Sequence, residues 1–100
     1  MDIKKAVEEI KLYIDSEQVK NKIALDLGLK FKNNKCLCFI HEESNPSMSF
    51  NSKTKKFKCF SCGASYDIFN HYQGHYNKSF VEAVKSIVKE IPKRNLYLFG

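Results

Sequence analysis

Hydrophobic positions recur at helical spacing in the first 28 residues of the chain. Residues 2–15 and 16–28 each predict an amphipathic helix, with Asp2 and Ser16 as candidate N-caps and Gly28 at the end of the second. We expect both apolar stripes to pack into a core. They comprise Ile3, Val7, Ile10 and Ile14 in the first helix and Val19, Ile23 and Leu27 in the second.

Shorter, strand-like segments follow in the middle of the chain. Residues 29–32 and 35–39 flank Asn33-Asn34, a pair suited to a hairpin turn because asparagine tolerates positive φ. Residues 47–51 and 56–60 flank the segment SKTK and predict a second hairpin. Because side chains alternate between the two faces of a strand, one set of side chains should point toward the core, and the set on the opposite face of the last strand should point toward solvent. The inner set is Met48, Phe50, Phe57 and Cys59, and the outer set is Lys56, Lys58 and Phe60.

Two further helices are predicted after the strands. The first covers residues 67–76, and the second runs from Ser79 to Glu90 with a capping box between Ser79 and Glu82 and Pro92 as its stop. The inward-facing residues are Ile68, Phe69 and Tyr72 in one helix and Phe80, Val84, Ile87 and Val88 in the other. The pattern therefore predicts an α+β fold, a small antiparallel sheet with helices before and after it. We divide it into an N-terminal helical segment, 1–28, and a part that holds the sheet and the C-terminal helices, 29–100, joined as one compact unit.

Charge and composition suggest a polyanionic partner. The chain has 100 residues, a formal charge of +6, eight phenylalanines and five tyrosines, a combination typical of small nucleic-acid-binding domains. Lys-rich surfaces also serve solubility alone. Only one of the 17 basic residues is an arginine, so we expect contacts to phosphates rather than reading of base edges.

Neither a secretory signal nor a membrane-length apolar run is evident, which predicts a cytoplasmic protein with reduced thiols and no membrane partner.

Four residues have the spacing of a metal site. Cys38, His41, Cys59 and Cys62 read C-x2-H-x17-C-x2-C, two knuckles joined by a hairpin-length segment, and Gly63 suits the tight turn after the second. Three thiolates and one imidazole favour a single structural Zn²⁺ with no open position for a catalytic water. Such an ion would contribute about 10 kcal/mol or more to folding. The expected fold of residues 29–100 is therefore zinc-ribbon-like.

Three other candidate ligands do not fit this site. Cys36 lies too close to Cys38 to share its knuckle, and we interpret it as a small buried residue. His71 and His75 have the spacing of a second site, but with no third ligand nearby we interpret both as ordinary surface or boundary histidines. An iron–sulfur cluster is a minor alternative at the Cys-His-Cys-Cys site.

The motifs resemble the N-terminal zinc-binding domain of bacterial and phage DnaG-type DNA primases over roughly residues 30–91. Three features depart from the family pattern: Phe39 replaces a proline, Tyr66 replaces a glycine, and the N-terminal helical region differs. These differences suggest a divergent form from a phage, plasmid or other mobile element. The matching positions are Cys38, His41, Glu43, Pro46, Ser47, Phe57, Cys59, Phe60, Cys62, Gly63, Asp67 and the segment SFVEA at 79–83.

The resemblance implies binding of single-stranded template during primer synthesis, whereas a separate Toprim domain would hold Mg²⁺ and polymerise. We therefore expect this chain alone to be non-catalytic, with the primase catalytic domain or the replicative helicase as possible partners. The alternatives are a zinc-ribbon docking module for a helicase, a polymerase or the primase core, and a redox switch based on Cys36 and Cys38. The candidate DNA contacts are Lys53, Lys55, Lys56 and Lys58, with bases stacking on Phe60 or Tyr66. Packing of Phe60 against the next helix is the competing interpretation of that residue.

Overall fold

In chain order, a four-stranded antiparallel sheet follows two helices and precedes two others. The computed structural model describes residues 2–40 and 46–90. No helix within those residues combines the length and apolar character needed to cross a bilayer. The elements are α1 Ile3–Tyr13, α2 Ser16–Leu27, β1 Lys35–Cys36, β2 Met48–Asn51, β3 Lys56–Cys59, β4 Ser65–Tyr66, α3 Ile68–Gly74 and α4 Phe80–Glu90. This arrangement confirms the α+β class expected from the sequence.

The sheet has the strand order β1-β2-β3-β4, and every neighbouring pair is antiparallel. Asn33 and Asn34 make the expected turn with φ values of 53° and 63°, but residues 29–32 contribute only a single bridge, Lys32 to Lys35. β4 was not predicted. It pairs Tyr66 with Phe57 and Ser65 with Lys58, and it carries the chain from the second knuckle into α3.

The helix ends follow ordinary capping chemistry. Asp2 caps α1 through the backbone N–H of Lys5, as expected. The N-cap of α2 is Asp15, whose carboxylate accepts from the N–H of Glu17 at 2.9 Å. The prediction of Ser16 was therefore wrong by one residue, because either side chain can cap and the shorter Ser16 is buried as the first helical residue.

The C-terminal helices are close to their predicted limits. α3 is shorter than residues 67–76 and begins with a capping box between Asp67 and Asn70. α4 begins one residue after Ser79, and the predicted capping box forms: the N–H of Glu82 donates to the Ser79 hydroxyl, and the N–H of Ser79 donates to the Glu82 carboxylate. Pro92, the predicted stop of α4, lies outside the described residues.

One hydrophobic core joins the N-terminal helices, the sheet and the C-terminal helices. α4 packs against both α3 and α1, which closes the helical layer over the inner face of the sheet. The alternation predicted for β2 and β3 is confirmed, since every second residue is buried. The buried residues include Ile10, Val19, Ile23, Met48, Phe57, Cys59, Tyr72, Val84 and Ile87.

Candidate metal centre and nucleic-acid interface

Three cysteine sulfurs converge at the knuckle end of the sheet. The Sγ atoms of Cys38, Cys59 and Cys62 lie within 4.8 Å of one another, and those of Cys38 and Cys62 are 4.0 Å apart. Tetrahedral zinc with Zn–S bonds of about 2.3 Å places its sulfur ligands about 3.8 Å apart, so the cluster fits this ion. His41 lies outside the described residues, and its role as fourth ligand stays a prediction.

The second knuckle is a tight turn at the end of β3. The N–H of Gly63 donates to the carbonyl of Cys59 at 2.9 Å, and the N–H of Cys59 donates to Ala64 at 2.9 Å. Gly63 has φ of 75°, and a Cβ there would meet no atom within 4 Å. The left-handed backbone therefore explains why this residue is a glycine, as expected. Lack of space does not explain it, because a side chain would have room there.

Hydrogen bonds to the Cys59 sulfur favour its charged form. Burial alone would raise the pKa of Cys59, but its side chain lies 3.3 Å from the Ser47 hydroxyl and near the backbone N–H groups of Ser61 and Cys62, and together these lower the pKa to about 6. The sulfur of Cys38 accepts from the N–H of Ile40 at 3.4 Å. Because thiolates are the form that binds metal, this environment suits a metal centre.

Cys36 is buried but lies away from the sulfur cluster. It pairs laterally with Met48 on β2, and Met48 pairs with Cys59 on β3. Cys36 and Cys59 thus share one face of the sheet but are two strands apart, or about 9–10 Å. Cys36 is accordingly not among the cysteines whose sulfurs lie within 4.8 Å of one another.

The outer face of β3 carries the polar side chains expected to contact nucleic acid. Lys56 and Lys58 are exposed, as is Lys53 in the preceding turn. Phe60 is 72% exposed, which contradicts the competing interpretation that its ring packs against the next helix. Lys55 differs, since it is partly buried and its Nζ donates to the carbonyl of Lys11 at 2.8 Å.

Tyr66 is not on this outer face. It pairs with Phe57 across the sheet, so both side chains point toward the core. Its ring contacts that of Phe39 edge-on, with 4.8 Å between centroids. Phe39 and Tyr66 were two positions that departed from the motif pattern, and the structure places them in contact. The two substitutions therefore form one packing unit.

A second group of ligand-type side chains joins α2 to α3. His71 is fully buried, with Nδ1 2.7 Å from the Tyr66 hydroxyl and Nε2 2.8 Å from a carboxylate oxygen of Asp26. Burial lowers the pKa of His71 despite the opposing effect of Asp26. The interpretation of both histidines as surface or boundary residues is thus wrong for His71, whereas His75 is exposed. Asp26 was missed because it lies 45 residues from His71.

Comparison with known proteins extends the match along most of the chain. The family model described as the CHC2 zinc finger, a DnaG-type zinc ribbon, matches residues 3–96. That range begins in α1, so the expected range of 30–91 was too short and the N-terminal helices lie within the matched domain.

DNA primases are among the similar curated proteins. The primase of Thermotoga maritima is 33% identical over 86 residues, covering 86% of this chain and 15% of that protein. The primase of Clostridium acetobutylicum is 33% identical over 92 residues, covering 90% of this chain and 14% of that protein. The chain thus spans about a seventh of the length of these relatives.

Proposed function

Because this chain belongs to the CHC2 zinc finger family, we propose that it is the zinc domain of a DNA primase, which binds single-stranded template and supports RNA primer synthesis. Polymerisation itself would be performed by a separate catalytic domain. Cys38, His41, Cys59 and Cys62 hold one structural zinc ion in this proposal. The three sulfurs already in place support that assignment.

The outer face of β3 is the observation that carries the DNA-binding proposal. Lys58 has Ser49 and Ser65 as its neighbours on the adjacent strands, and Lys56 has Asn51. These short polar neighbours leave both ammonium groups open to a passing phosphate backbone. Phosphate contacts by lysine supply affinity without reading bases, so we expect weak sequence preference.

Phe60 completes the surface with a stacking platform. Phe60 directly follows the buried Cys59, and its ring is mostly exposed. The ring lines a groove together with Ser49, Lys58 and Ser65. Aromatic rings beside lysines are the usual means of holding single strands, since each stacked base contributes about 1–3 kcal/mol. We therefore assign the phosphates to Lys56 and Lys58 and a base to Phe60.

The test is a titration of the zinc-loaded chain with a short labelled single strand, followed by fluorescence anisotropy at several salt concentrations. Lys56→Ala/Lys58→Ala removes two phosphate contacts, so the slope of log K against log salt becomes shallower by about 1.4, twice about 0.7. The matched control, Lys85→Ala/Lys89→Ala, removes two exposed lysines from α4 and leaves the slope unchanged. Equal losses in both variants would refute this surface.

Phe60→Ala separates stacking from charge. We expect it to weaken binding by about 1–3 kcal/mol, roughly 5- to 150-fold, without changing the salt slope. An unchanged affinity would remove Phe60 from the interface.

Protein docking is the second candidate function, and exposed apolar side chains near the metal ligand Cys38 favour it. Leu37 and Ile40 are each 48% exposed. Such docking would tolerate salt and the lysine changes, and Leu37→Ser or Ile40→Ser would weaken it. Absence of any DNA binding by a folded, zinc-loaded chain would favour this candidate.

A further inference from the structure

Three side chains outside the sulfur cluster are close enough to bind one ion. Ligand atoms of Asp26, His71 and His75 lie within 4.8 Å of one another. Asp26 comes from α2, His71 lies within α3, and His75 is the C-cap residue of α3. The group lies between two helices that belong to one core, so its backbone positions are fixed by packing.

The two histidines have the geometry of a helical ligand pair. The N–H of His75 donates to the carbonyl of His71 at 2.8 Å, so the helical turn between them is complete and residues four apart share a face. Their rings are nearly parallel, with 8° between the planes and 4.9 Å between the centroids. In the described part of the chain, the imidazole of His75 makes ring contacts but no hydrogen bond, which leaves its nitrogens available.

Tyr66 orients the buried histidine. Its hydroxyl lies 2.7 Å from Nδ1 of His71, while Nε2 faces Asp26. Without metal, a neutral imidazole with its proton on Nε2 would donate to the Asp26 carboxylate and accept from Tyr66 at Nδ1. With a metal ion on Nε2, the proton would lie on Nδ1, which would then donate to the Tyr66 hydroxyl. Metal-bound histidines usually have such a partner on the second nitrogen.

We propose that Asp26, His71 and His75 form a second site, for a divalent transition metal ion of the zinc type. One carboxylate and two imidazoles are ligands that such ions accept, and three protein ligands leave one position for water. The exposure of His75 provides the route by which the ion enters.

Lys22 competes with the ion for the same carboxylate oxygen. Its Nζ lies 3.6 Å from Oδ2 of Asp26, one helical turn away. An ion at this oxygen must displace the ammonium group and also the hydrogen bond that the Tyr76 hydroxyl donates to it. Removal of the Lys22 charge should therefore strengthen metal binding, a result opposite in sign to that of removing a ligand.

The experiment starts from the chain with one zinc ion in the sulfur site and adds Zn²⁺, with calorimetry for affinity and native mass spectrometry for stoichiometry. We expect one further ion per chain. His75→Gln, a change at an exposed position, should weaken that step at least tenfold, and Tyr66→Phe by about 10- to 100-fold. Lys22→Gln should tighten it, and circular dichroism checks that each variant is folded.

Each outcome decides the proposal. A chain that binds no second ion overturns it. Second binding that survives His75→Gln unchanged also overturns it, because the ion then lies elsewhere. Weaker binding in Lys22→Gln would show that the Asp26 carboxylate is not a ligand. The proposal is independent of DNA binding, since its readouts need no nucleic acid.

Discussion

Replacing each of two buried cysteines by serine tests the metal centre directly. Cys59 and Cys36 are both almost fully buried, and both lie on the inner face of the sheet beside Met48. Only Cys59 belongs to the sulfur cluster. The two variants therefore have the same chemical change in neighbouring places and differ only in whether a metal ligand is lost.

The expected magnitudes are far apart. Structural zinc contributes about 10–16 kcal/mol to small zinc domains, whereas a whole domain is typically stable by only about 5–15 kcal/mol. Loss of one thiolate in Cys59→Ser should thus unfold the knuckles and the sheet. Cys36→Ser buries a hydroxyl in an apolar site, which costs about 1–3 kcal/mol, and the domain should remain folded with its zinc.

Zinc content by native mass spectrometry and thermal unfolding by circular dichroism measure both effects. Cys36→Ser should retain one zinc ion in this site and lose about 4–8 °C in Tm for each kcal/mol. Cys59→Ser should lose zinc at micromolar free concentrations and show no cooperative melt. Adding a chelator to the unmodified chain should reproduce the Cys59→Ser result.

Two results would refute the reasoning. The first is retention of zinc and fold by Cys59→Ser. The second is loss of zinc by Cys36→Ser, which would mean that this sulfur reaches the ion despite its distance across two strands.

Two further predictions concern stability and are measured by urea denaturation of the zinc-loaded chain. Gly63→Ala should lower the free energy of unfolding by about 1–2 kcal/mol because the φ of Gly63 is positive. Gly74→Ala should raise it by up to about 1 kcal/mol, because Gly74 lies in the right-handed helix α3 and has open space around it. Equal effects of the two changes would contradict the argument from backbone conformation. Phe57→Ala should cost about 3–5 kcal/mol, since this fully buried ring contacts the rings of Phe31, Phe39 and Phe50, and a loss below 1 kcal/mol would show that the aromatic cluster is not central to the core.

Local chemistry made much of the fold predictable. The burial pattern of β2 and β3 could be predicted because one face of each strand is buried and the other is not. The caps at Asp2 and Ser79 could be predicted because each side chain bonds to a backbone N–H only three residues away. The knuckle spacing likewise brought Cys59 and Cys62 together, since a turn fixes their distance.

Long-range contacts were not predictable in the same way. β4 has only two residues, so its own sequence carries no periodic signal. It forms because it pairs with the edge of β3. Asp26 and His71 come from helices far apart in the chain, and their contact depends on how α2 packs against α3. No local pattern in the sequence encodes that packing.

The two faces of β3 link the metal centre to the proposed DNA surface. Phe57 and Cys59 point inward, and Lys56 and Lys58 point outward. Because strand residues alternate strictly, a slip of one position would bury both ammonium groups and expose the Cys59 sulfur. Zinc bound at Cys59, as proposed, would therefore fix the register that holds the lysines outward, and Phe60 follows Cys59 directly. A structural ion would in this way control a binding surface that it does not touch.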